Sequence, residues 1–137
     1  MKRLVVDTNV VVSAFLRSGH PAKVVATLGA GAAAWLVDGR ILGEYEDVLR
    51  RPKLRLSKEV VDRFLVQVAD LGVRVVAAPL PLQGPDGEDR PCLEVALTGR
   101  ADALVTGNGR LFTVATDLGL RVLSPAEWVR AAVPSGA

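Results

Sequence analysis

Leu4-Val5-Val6-Asp7-Thr8-Asn9 is the stretch that decides the fold. A short apolar run stops at an acid, and a small hydroxyl and a carboxamide follow. Continuous Leu and Val is what a strand buried on both faces requires, the situation of a parallel sheet. In open α/β sheets ligands bind beyond the carboxyl ends of such strands, so an acid there stands at the lip of the sheet. Asp7 also suits the N-cap of a following helix, and the two roles are compatible.

Outward from this run, Val10 to Leu16 is apolar nearly all round apart from Ser13, which predicts a short buried helix from Thr8 or Asn9. A loop, Arg17-Ser18-Gly19-His20, precedes a second helix over about Ala22 to Leu28, with Pro21 at its first position and Gly29 and Gly31 ending it. Ala34 to Val37 reads as the second strand. Asp38 caps a helix from Gly39 to Arg51, which Pro52 stops. Ser57 caps another, whose Val60, Val61, Phe64, Leu65, Val68 and Leu71 recur at helical spacing before Gly72. Val73 to Val76 is a third strand, and residues 77–88, rich in proline, form a long surface loop. A helix from about Arg90 to Thr98 leads to the fourth strand, Asp102 to Thr106. A Gly-Asn-Gly turn, a short helix around Leu111 to Thr116, a fifth strand at Leu120 to Leu123 and a last helix capped by Ser124 complete the chain. Strands alternating with helices predict a three-layer α/β/α sandwich around a central, mainly parallel five-stranded sheet, in a single domain over residues 1–137.

Composition narrows the function classes. Half of the 137 residues are apolar and mean hydropathy is +0.30, which argues against disorder. No apolar stretch reaches the roughly 18 uninterrupted residues of a membrane span, and Met1-Lys2-Arg3 enters a strand without a signal-peptide segment. These features predict a cytoplasmic protein with no membrane partner. One cysteine, Cys92, and one histidine, His20, exclude an internal disulfide framework and the usual zinc and histidine-triad chemistries. A net charge of +2 and a pI near 9.0 permit a polyanionic partner without demanding one.

The remaining candidates are acids. With residues placed 100° apart, Ile41, Leu42, Tyr45, Val48 and Leu49 form one apolar arc of their helix. Glu44 sits on the edge of that arc, in the row of Ile41 and Val48, where it serves either as a boundary glutamate or as an acid aimed along the helix–sheet seam. Asp86, Glu88 and Asp89 crowd the end of the long loop, and Asp89 begins a helix, a position the helix dipole favours. Their mutual repulsion would be eased by a cation. Asn108 follows the fourth strand between two glycines and is either a turn residue or a ligand-facing group. If the first and fourth strands are neighbours, Asp7 and Asn108 lie side by side. Asp102 would then be at the opposite edge.

This ordered set resembles the PIN-domain nucleases: Asp7-Thr8-Asn9 after a first strand, Glu44 in Ile41-Leu42-Gly43-Glu44, Asp89 ahead of Cys92-Leu93-Glu94-Val95-Ala96, and Asp102 through Asn108. The segment Val48-Leu49-Arg50-Arg51-Pro52-Lys53-Leu54 resembles the subgroup of toxin components of toxin–antitoxin systems, related to the VapC-like toxins. The resemblance covers Leu4 to about Val129. It implies an endoribonuclease that binds Mg2+ or Mn2+ and cleaves single-stranded RNA, held in check by a cognate antitoxin and forming a homodimer or higher oligomer. Asp7, Glu44 and Asp89 take the acidic metal-binding and catalytic positions, with Asn108 beside them. Thr8, Asn9 and Thr106 support them by hydrogen bonding. The chain departs from many members at Asn108, where they have an acid after Thr-Gly.

The residue types fit that chemistry. Hydrolysis of a phosphodiester needs an activated water and an offset for phosphate charge, both of which a divalent metal supplies. Oxygen ligands without histidine suit magnesium or manganese. Asn108 removes one charge, so a single firm metal site is expected, with a second ion conditional on substrate. Arg17, His20, Lys53, Arg90, Arg100 and Arg110 are the candidates for gripping RNA. The helical hairpin from Gly39 to Leu71 is the candidate partner face. The rival is a PIN-like binding module without useful activity, which Asn108 keeps open. A phosphotransferase with an aspartyl nucleophile ranks lower, because Asn9 occupies the place of its second aspartate.

Overall fold

A computed structural model describes residues 1–80 and 90–132 of the chain, the side chains of 110–113 excepted. Its five strands are β1 (Arg3–Val6), β2 (Ala34–Val37), β3 (Val73–Arg74), β4 (Ala103–Val105) and β5 (Val122–Leu123). They form one sheet in the order β3-β2-β1-β4-β5, and every pairing is parallel. Helices α1 (Thr8–Leu16), α2 (His20–Gly29), α3 (Gly39–Leu49), α4 (Lys58–Leu71), α5 (Arg90–Thr98), α6 (Gly109–Asp117) and α7 (Pro125–Ala132) flank it, giving a PIN-like α/β/α sandwich. The expected architecture is thus present, with a sheet that is wholly rather than mainly parallel.

The apolar runs explain the sheet. Leu4, Val5, Val6, Leu36, Val37, Leu104 and Val105 have no exposed surface, as strands covered on both faces require. Trp35 packs with Tyr45 of α3 and Phe64 of α4, and Phe64 meets Phe15 of α1 edge-on at 5.0 Å. This aromatic group pins α1, α3 and α4 to one another.

The strand order places a switch point at the centre. From β1 the chain builds outward through β2 to β3, then crosses back to lay β4 on the other side of β1. Val6 is in register with Val105, so the residues after these two strands emerge together. Open parallel sheets offer their binding crevice at such a point.

Several boundaries differ from expectation for local reasons. The third strand ends at Arg74 instead of Val76. Val75 N still donates to Val37 O at 2.9 Å, but β2 stops there to let Asp38 cap α3, so Val76 has no strand to pair with and is 95% exposed. The fifth strand is likewise shorter, beginning at Val122. Beyond Pro52 the chain does not simply stop but makes a 3-10 turn, Pro52–Leu54, closed by Arg55 at φ 55. Gly72 ends α4 with an ordinary extended backbone (φ −64), so it is not there for a left-handed turn. A Cβ at this position would stand 2.6 Å from Val68 O and 2.8 Å from Val37 Cγ2, so close packing against β2 selects glycine. Of the predicted long loop, residues 81–88 lie outside the described residues.

Candidate active site

Asp7 leaves β1 as the N-cap of α1 and is 7% exposed. Its backbone N–H still belongs to the sheet, donating to Val105 O at 3.0 Å, while Val10 N donates to its carbonyl. The side chain is fixed as firmly. Thr8 N donates to Oδ1 at 2.8 Å, and Thr106 Oγ1 and Asn9 Nδ2 donate to Oδ2 at 2.7 and 3.3 Å. Thr106 is fully buried, so its hydroxyl is a committed partner. The same oxygen accepts Asn108 N at 2.9 Å, and Asn9 Oδ1 accepts Gly107 N at 3.1 Å. Asp7 thus caps α1 while staying at the lip of the sheet, so capping leaves room for the expected site role.

The expected neighbourhood of the first and fourth strands holds, and Asp7 and Asn108 do lie side by side. They line one cleft of about 380 Å³ together with Thr8, Asn9, Ser13 and Glu44. Glu44 arrives from α3, half-buried between buried Ile41 and half-buried Val48, with its neighbour Tyr45 fully buried. Asp102 is at the opposite edge, its Oδ2 accepting Arg3 N at 2.7 Å, so it stands apart from this cleft. Asp89, Asp86 and Glu88 lie outside the described residues.

Two buried polar side chains near the site carry roles that the sequence reading did not assign. Tyr45, placed there as one more member of the apolar arc, donates its hydroxyl to Val6 O and accepts Trp35 Nε1–H at 3.2 Å. It thus ties α3 to the last residue of β1, directly before Asp7. Burial holds the phenol well above its usual pKa, and the neighbouring acidic groups of Cys92, Asp7 and Glu44 add to this. A buried tyrosine hydroxyl needs a partner, which was the available signal. Glu94, 4% exposed, is the other. It pairs with Arg40 at 2.6 Å and Arg90 at 3.2 Å and accepts Leu80 N at 2.7 Å. The Arg40 guanidinium, then the Leu80 N–H, lower its pKa.

The RNA-gripping candidates separate. Arg90 ion-pairs with Glu94 and donates to Leu80 O at 2.8 Å, which gives it a structural task. Arg100 precedes β4 and so lies toward the edge away from Asp7. Arg17 and Lys53 are exposed, and the Arg110 side chain lies outside the described residues. His20, the first residue of α2, is exposed and lines a second cleft that shares Asn9 with the first.

A family model for the PIN domain matches residues 3–110, from the start of β1 into α6. The chain belongs to the PIN-domain family. PIN domains are generally nucleases that use divalent metals, so this one has a nuclease-like fold consistent with hydrolysis of nucleic acid. No curated protein matches the chain. No helix among the described residues is long and apolar enough to cross a membrane.

The donor set of the PIN-domain cleft fits such a metal in its chemistry. Carboxylates of Asp7 and Glu44 and carboxamides of Asn9 and Asn108 are hard oxygen donors, which suit magnesium or manganese, ions that take one or two carboxylates and keep several waters. Among the described residues no group of three His, Cys, Asp or Glu is placed to hold an ion, and Asp89 would have to supply a third acid.

Proposed function

We propose that this protein is a metal-dependent endoribonuclease cleaving single-stranded RNA, with Asp7, Glu44 and Asp89 as the acidic set and Mg2+ or Mn2+ as cofactor. The observation that carries the reading is Asp7 itself. A buried carboxylate is fixed through both oxygens at the switch point of the sheet, with Glu44 and Asn108 lining the same cleft.

A bound divalent ion would supply an activated water and offset charge on the scissile phosphate. The chain's own groups do the rest. Thr106, Thr8 and Asn9 hold Asp7 in one rotamer, so that no reorganisation is needed as charge develops. Glu44, which lines the same cleft, would help hold the ion or orient the attacking water and take its proton. The water oxygen bonds to phosphorus, the bond to the leaving ribose oxygen breaks, and that oxygen takes up a proton. Asn108 would present its carboxamide to a phosphate oxygen of the substrate or help hold the hydrated ion.

The reading extends to a toxin with a cognate antitoxin, supported by the resemblance over Val48 to Leu54, acting in the cytoplasm as a single domain and a homodimer or higher oligomer. Asn108, neutral where many relatives carry an acid, favours a second reading as a binding module with weak or no activity. Cleavage of a labelled single-stranded RNA during a manganese titration separates the two. The enzyme reading expects metal-dependent cleavage that Asp7→Asn abolishes. Absence of cleavage in the wild type, or equal cleavage by both proteins, rules it out.

A further inference from the structure

We propose that a second cleft, across Asn9 from the acids, holds a nucleoside of the same RNA strand beside the cleavage point; this rests on the nuclease reading of the acidic cleft. The second cleft measures about 420 Å³ and is lined in part by Asn9, Ser13, His20, Pro21, Ser124 and Ala126. Its volume is that of a small-ligand pocket. Asn9 and Ser13 also line the acidic cleft. Four residues apart on α1, they form one ridge with a cleft on each flank.

The ridge is rigid where it matters. The Asn9 carboxamide is held at both ends, donating to Asp7 Oδ2 and accepting Gly107 N, so the two clefts keep a fixed separation. A strand whose phosphate lies over the acids can carry its next nucleoside over this ridge into the second cleft.

The chemistry of the two clefts differs in the way such a path requires. Asp7 and Glu44 line the first, and among the described residues no carboxylate lines the second. The polynucleotide's own negative charge therefore meets fewer acids there, the Glu127 carboxylate being taken up by Ser124 N. The His20 imidazole offers a flat surface for a base, single-stranded RNA being recognised mainly by stacking its splayed bases on such rings, and Pro21 adds apolar contact beside it. Ser124 and Glu127 satisfy each other, Ser124 Oγ accepting Glu127 N at 3.1 Å and the Glu127 carboxylate accepting Ser124 N at 2.9 Å, so Ser124 shapes the cleft wall. Ser13 is the hydroxyl left to face a ligand. Together these select a base with its ribose, and they make His20 a positioning residue for the strand.

The test uses the full chain as wild type, His20→Ala and Ala126→Trp, the last filling the cleft from α7. Three measurements are made on each: manganese affinity by calorimetry, KM and kcat for a labelled single-stranded RNA, and, where His20 is present, its imidazole NMR signals on addition of adenosine or uridine 5′-monophosphate. Loss of one stacking contact predicts KM raised roughly tenfold in both variants, with manganese affinity and kcat held. The His20 signals should shift with mononucleotide in the wild type and not in Ala126→Trp. Wild-type KM in both variants overturns the subsite and leaves the nuclease reading intact. If Ala126→Trp fails to fold, His20→Ala, at an exposed position, decides alone. Should no protein cleave RNA while the His20 signals still shift, the nuclease reading falls and the cleft stands as a nucleoside site. No cleavage and no shift removes both.

Discussion

The Thr106 hydroxyl donates to Asp7 Oδ2 at 2.7 Å, joining the ends of β4 and β1 across 99 residues of chain. Thr106 Oγ1 also accepts Asn108 N, so one buried hydroxyl sets both the acid of the first strand and the turn that follows the fourth. Thr106→Val keeps the shape and removes both bonds. Leaving a buried carboxylate oxygen and an N–H without this partner predicts a loss of about 1–3 kcal/mol in unfolding free energy by urea titration. Loss of a group that orients a metal ligand typically weakens metal binding by about 10–100-fold, and calorimetry with Mn2+ would show it. Stability lost with unchanged manganese affinity would mean that the hydroxyl serves only the fold.

Tyr45 makes a separate prediction. Its hydroxyl bridges Val6 O and Trp35 Nε1 in the core. Tyr45→Phe strands both partners and should cost about 1–3 kcal/mol in denaturant unfolding. Its effect on manganese affinity should be smaller than that of Thr106→Val, because Asp7 keeps its side-chain donors. A metal affinity reduced as far as in Thr106→Val would show that the backbone of β1, and not the carboxylate rotamer, governs the site.

Glu94 should dominate the acid limb of the stability profile. Its folded pKa lies below its ordinary value of 4.5, so the stabilisation it gives is fully present above that value. It is lost as pH falls through the lowered folded value, where the carboxylate takes up a proton and releases Arg40 and Arg90. Glu94→Ala should cost about 3 kcal/mol, the low end of the roughly 3–5 kcal/mol for breaking a buried pair, since the Arg40 side chain is 46% exposed. Melting curves from pH 7 to pH 3 should converge for Glu94→Gln and wild type at the acid end. A constant gap between them would refute the assignment.

What the sequence disclosed and what it withheld follow from the range of the interactions. The run Leu4 to Val6 and its terminal acid marked β1 and Asp7, because burial on both faces leaves a local signature. Parallel alternation gave the sandwich, and the arc of α3 put Glu44 on its edge. Arg90 is a candidate RNA contact by charge alone, while Glu94, four residues on, is a visible partner at helical spacing. Arg40, 54 residues from Glu94, carried no local sign of that pairing. The third strand read as longer than it is because its length is set by where β2 ends, a fact of pairing that Val75 and Val76 do not encode.

Asn108 tests the balance of charge in the cleft. Asn108→Asp adds a carboxylate to the wall that Asp7 and Glu44 already line. Affinity of oxygen-donor sites rises with ligand charge, so Mn2+ should bind more tightly, by roughly tenfold, and a second equivalent should become detectable by calorimetry. Unchanged affinity and stoichiometry would place Asn108 outside the metal's reach.

The central claim is that Asp7 anchors a divalent metal in this cleft, and paramagnetic broadening by Mn2+ measures it most directly. The side-chain amide signals of Asn9 and Asn108, which line the cleft with Asp7, should broaden together in the wild type at substoichiometric Mn2+. In Asp7→Asn they should stay sharp at the same concentration. Amides that remain sharp in the wild type, or that broaden equally in Asp7→Asn, would contradict the account.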